Sequence, residues 1–142
     1  MGNIDSRACF EGGYVYVKTD KPYYYPGNVV LGKIYIRTEV PMSAANLEIR
    51  VRGKEKASFL RRETYHTGEG ENRQTHTRVI KEKLHKKILE FRGSCFTFQG
   101  PLMPGDYTIP FEFKLPDCLP SSIMYNNKHH HDKPKAVVKY SI

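Results

Sequence analysis

The most regular stretch of the chain is residues 30–37, where Val30, Gly32, Ile34 and Ile36 alternate with Leu31, Lys33, Tyr35 and Arg37. A period of two is what a half-buried strand needs, so this segment predicts a strand with the first set facing the core. Leu47, Ile49 and Val51 alternate in the same way with Glu48, Arg50 and Arg52 up to Gly53, which predicts another. Upstream, Tyr14-Val15-Tyr16-Val17 is rich in strand formers and runs into Lys18-Thr19-Asp20-Lys21-Pro22. Pro22 lacks the donor that a ladder requires, so that strand ends there. Tyr23-Tyr24-Tyr25 then leads into Pro26-Gly27, a type II turn signal, because proline presets the first central φ and glycine accepts a positive second one.

Further along, Pro41-Met42-Ser43 breaks the pattern, residues 57–65 read as a hairpin partner, and Gly68-Glu69-Gly70-Glu71-Asn72 reads as an exposed loop. The next segment is ambiguous. Ile80, Leu84, Ile88 and Phe91 recur at helical spacing, while Val79, Leu89 and Phe91 also fit an alternating face; periodicity by itself favours a short helix. Residues 95–98 and 107–115 alternate again across Gly100-Pro101 and Pro104-Gly105 turn signals, and Pro110 implies a sheet edge or a bulge. A polar, low-complexity insertion fills residues 126–135, and residues 136–142 close the chain with one more strand. Short strands with turn signals about every ten residues describe an all-β antiparallel sandwich. The length of 142 residues predicts one domain, and a 39% hydrophobic share is enough to build its core.

Four runs in order carry a resemblance: residues 23–36 (YYYPGNVVLGKIYI), 47–56 (LEIRVRGKEK), 104–122 (PGDYTIPFEFKLPDCLPSS) and 136–142 (AVVKYSI). They resemble the successive motifs of an arrestin N-terminal domain, most specifically in the third run, which is similar to the α-arrestin branch. The resemblance implies an immunoglobulin-like sandwich of seven or more strands over residues 14–142, with residues 1–13 as an N-terminal segment. It makes residues 80–91 a strand, against their helical spacing, and implies a second sandwich following Ile142. The role implied is a non-catalytic adaptor that binds receptor or transporter tails in trafficking or signalling. A retromer-subunit-like or purely structural scaffold is the alternative. The lysine pair that receptor-binding arrestins carry before their first strand is replaced here by Phe10-Glu11-Gly12-Gly13, so recognition by that device is not implied.

Charge narrows the partners. The net charge is +8, and residues 50–92 hold 13 basic and 6 acidic residues, so 13 − 6 = +7 of it lies in that stretch. Arg50, Arg52, Lys54 and Lys56, on the outward phase of their strand, are the expected anion- and peptide-binding set. A phosphoinositide or nucleic acid would also suit basic residues, but no nucleic-acid recognition motif accompanies them. Met1-Gly2-Asn3-Ile4-Asp5-Ser6 matches the N-myristoylation pattern, and Cys9 is placed to take a second acyl chain, since one chain holds a membrane only marginally. The expected location is cytoplasmic, peripheral at anionic membranes when lipidated. No signature of a catalytic nucleophile or a phosphate-cradling loop is found, so no enzyme activity and no cofactor are expected. His129-His130-His131-Asp132 offers metal-ligand chemistry. Consecutive side chains in an extended loop point to opposite sides, however, so no metal site is expected.

Overall fold

The computed structural model describes residues 6–43 and 46–142. They form β1 (Ser6–Phe10), β2 (Gly13–Thr19), β3 (Val29–Thr38), β4 (Asn46–Thr67), β5 (Gln74–Thr97), β6 (Gly105–Lys114), β7 (Ile123–Asn126) and β8 (Lys135–Ser141). A single 3-10 turn, Gly70–Asn72, is the only helical element among the described residues. The strands make two four-stranded antiparallel sheets, ordered β1-β2-β3-β6 and β5-β4-β8-β7. This is the sandwich that the alternating patterns predict.

The inward set of β3 is buried as its period of two requires, and it packs with Ile49 of β4, Ile109 and Phe111 of β6, and Tyr24, Leu102 and Leu115 from the connections. Each such side chain, fully buried, stabilises the fold by about 1.5–3 kcal/mol. At the Pro26-Gly27 turn, Gly27 has a φ of +78° and the Asn28 N–H donates to the Tyr25 carbonyl at 3.1 Å, the geometry of the predicted type II turn. Pro110 lies on β6, at the edge of its sheet, where a missing donor can be tolerated.

Three expectations change. Residues 6–10, assigned to a segment outside the sandwich, form β1 and pair with β2 from Ser6 opposite Val17 to Phe10 opposite Gly13. Residues 57–65 do not turn back as a hairpin partner; they continue β4, whose real partner is β5. Residues 80–91, helical by spacing, are strand throughout, as the family resemblance implied.

The helical spacing has a physical origin. Lys87 pairs with Lys54 and Leu89 with Gly53, leaving Ile88 as an extra residue in a β-bulge. Ahead of the bulge the even-numbered Ile80 and Leu84 share the inner phase; beyond it the odd-numbered Leu89 and Phe91 do. A parity change in mid-strand spreads apolar residues at steps of three and four, the steps of a helix.

β4 and β5 outrun their sheet. The β4–β8 ladder ends at Ser58 opposite Lys135, but β4 and β5 stay paired from Phe59–Glu82 to Thr67–Gln74. That two-stranded ribbon extends about 30 Å at roughly 3.4 Å per residue.

Candidate anion-binding sheet face

The outward phase of β4 carries Arg50, Arg52, Lys54 and Lys56, and all four lie on one face of the sheet. Arg50, Lys54 and Lys56 are exposed and Arg52 is half-buried. Beneath them Gly53 and Val51 are buried. Gly53 is required by its neighbour: a Cβ there would come within 2.6 Å of the Tyr140 ring. The Tyr140 hydroxyl in turn donates to the Pro120 carbonyl at 2.6 Å, and burial raises its pKa, so the tyrosine under the face stays neutral.

Register brings in residues far away in sequence. Lys54 stands opposite Lys87 on β5 and Lys139 on β8, a cross-strand row of three lysines. In the next row, Lys56 is flanked by His85 and Val137, and in the one after it Ser58 is flanked by Lys83 and Lys135. The row on the other side holds Glu90, Arg52 and Ser141. These four rows therefore hold seven cations (Arg52, Lys54, Lys56, Lys83, Lys87, Lys135, Lys139) and one carboxylate, Glu90. Neighbouring positions on one sheet face lie about 5 Å apart, so like charges repel unless an anion joins them. Shallow depressions run between Lys54 and Lys87 and between Lys56 and Lys135, with His85 bordering both.

Glu90 is already engaged: it takes an ion pair from Lys87 and another from Arg50 at 2.5 Å. Hydrogen bonds from Lys87 first and then Arg50 lower its pKa to about 2. Arg92 is likewise paired with Glu48. By contrast, Arg52, Lys54, Lys56, Lys83, Lys135 and Lys139 have no carboxylate within 4.0 Å among the described residues. The face thus separates into a neutralised end at Arg50 and Arg92 and an uncompensated centre at Lys54 and Lys56.

Lys83, Lys87, Lys135 and Lys139 were not singled out from the sequence. The alternation of Lys135, Val137 and Lys139 with Ala136, Val138 and Tyr140 was there to be read in β8, but only strand order sets it beside β4. Of the predicted lipidation pair, Cys9 is exposed on β1, at the edge of its sheet, and Gly2 lies outside the described residues. No helix among the described residues is long and apolar enough to cross a membrane.

Against known proteins, residues 14–142 match the family described as the arrestin (or S-antigen) N-terminal domain, and the chain belongs to that family. It is similar to the arrestin domain-containing protein A of Dictyostelium discoideum, 26% identical over 114 residues, which are 80% of this chain and 20% of that protein. The chain therefore spans about a fifth of that relative's length. Among solved structures it is similar to Spo0M, a sporulation control protein from Bacillus subtilis, at 14% identity and a TM-score of 0.40 over 92% of this chain and 49% of that one.

Proposed function

We propose that this domain is an adaptor module whose β5-β4-β8 face binds acidic or phosphorylated segments of membrane-protein tails. The observation that carries the reading is the Lys87–Lys54–Lys139 row, bordered by Lys56, Lys83 and Lys135 with no carboxylate against the last three. An extended phosphopeptide laid across the strands would meet several ammonium groups at once, and charge-assisted hydrogen bonds to phosphate are the strong ones. The cations sit on sheet strands rather than loops, so the array is held in place before the ligand arrives. Phosphopeptide recognition by cation clusters is a recurring binding mode.

Fluorescence anisotropy with a labelled peptide bearing two phosphoserines tests this. Lys54→Glu with Lys56→Glu is expected to weaken binding at least about 30-fold, some 2 kcal/mol, while Arg61→Glu with Arg78→Glu on the ribbon changes it less than about threefold. Equal losses in the two variants would reduce the effect to net charge, and an unchanged affinity in the first would sink the proposal.

A further inference from the structure

The geometry points to a transition-metal site in the β7–β8 loop, formed by His130, His131 and Asp132 and suited to a zinc-class divalent ion. The loop is not extended, so the argument against convergence does not hold for it. The Asn127 side-chain oxygen accepts the His129 and His130 N–H groups at 3.2 and 3.1 Å, and the Lys133 N–H donates to the His130 carbonyl at 2.9 Å. Lys133 has a φ of +43°, the only positive value on a non-glycine among the described residues, and it turns the chain sharply just after Asp132. The loop is also held from outside, because the Leu60 N–H of β4 donates to the Asp132 carbonyl at 2.7 Å.

That folding gathers three donor atoms within 4.8 Å of one another. The His131 Nε2 lies 3.0 Å from one Asp132 oxygen, and the His130 Nδ1 lies 3.8 Å from the other. Metal–ligand bonds of about 2.0–2.1 Å place ligand atoms about 3.4 Å apart in a tetrahedron, so donors within 4.8 Å of one another need shifts of about an ångström to share one ion. The Asp132 N–H donates to the His130 Nδ1 across 3.3 Å, so that nitrogen is the unprotonated one, and a metal ion would take its lone pair in place of this long hydrogen bond. Two imidazole nitrogens and one carboxylate oxygen suit zinc, copper(II) or nickel(II), and suit magnesium or calcium poorly. A water molecule would complete the fourth position. Lys133 follows Asp132 directly and opposes a cation, so the site is a moderate-affinity one rather than a structural centre on which folding depends.

Isothermal titration of this chain with zinc chloride, in a non-chelating buffer at pH 7.5, tests the assignment. One saturable site is expected, with no heat from magnesium or calcium chloride. His130→Ala with His131→Ala should weaken zinc binding at least about 30-fold, and Asp132→Asn, which keeps the side-chain volume, about tenfold. His66→Ala with His76→Ala should leave it within about twofold, and circular dichroism should show every variant folded. Absent zinc binding, zinc binding that survives loss of His130 and His131, or loss of it in the His66 and His76 variant, would each overturn the site.

Discussion

The two ends of the β4–β5 pair are equally rich in charge and entirely different in what they do with it. In the ribbon, Arg61 bonds Glu82 at 3.0 Å and Glu63 at 2.9 Å, and Arg78 pairs with Glu63 from the other side while lying over the Tyr65 ring. Hydrogen bonds from Arg78 and then Arg61 lower the pKa of Glu63. At the sheet end, Lys54, Lys56, Lys83, Lys135 and Lys139 have no such partners among the described residues. Both ends contribute to the same excess of basic residues in the sequence. What separates them is register, which sets acid against base in one place and lysine against lysine in the other. Exposed ion pairs add little to stability, so the ribbon network chiefly compensates Arg61 and Arg78 locally, whereas the lysine rows hold unspent attraction for an anion.

The contrast should appear first in local stability. The sheet end is backed by the core and is paired on both sides from Arg52 to Ser58, while the ribbon has two strands and no core. Ladder amides of residues 61–65 are therefore expected to exchange hydrogen on the order of 10³-fold faster than those of residues 49–53. Rates within tenfold of each other would show that the two ends open as one unit. Next in size is truncation: Val51, fully buried at 0% exposure, should lose about 2–3 kcal/mol as Val51→Ala, against less than about 1 kcal/mol for Tyr65→Ala on the ribbon. Denaturant unfolding measures both, and similar losses would mean that the ribbon is as integral to the fold as the core.

The smallest effect is acid titration. The Glu90 pKa is lowered from 4.5 to about 2 in the folded chain, so the contribution of its two ion pairs is complete above about pH 4.5 and disappears as the pH falls through about 2. Carboxyl NMR should place the Glu90 midpoint near that value, and Lys87→Ala should move it back toward the ordinary range. A midpoint that ignores the substitution would remove Lys87 as its cause.

How much of this could be read in advance follows from how far each feature depends on distant pairing. The buried set of β3 was legible because its period of two is unbroken, and the outward Arg50, Arg52, Lys54 and Lys56 were legible for the same reason. Residues 80–91 misled because the bulge at Ile88 changes phase halfway, and no local pattern reveals a bulge. Lys139 and Lys54 are partners only through the β4–β8 ladder, which topology decides and periodicity does not. The gathering of His130, His131 and Asp132 depends on a left-handed Lys133, a conformation that a lysine does not advertise.

That extra residue at Ile88 also acts as a phase switch for half a strand. Were it deleted, residues 89–96 would stay anchored by the core, and residues 81–87 would rotate by one position, turning Lys81, Lys83, His85 and Lys87 to the other face and bringing Glu82, Leu84 and Lys86 round in their place. A single codon in the middle of β5 thus governs whether this strand adds a wholly basic row or a mixed acid, leucine and lysine row beside β4, without altering any of the side chains involved.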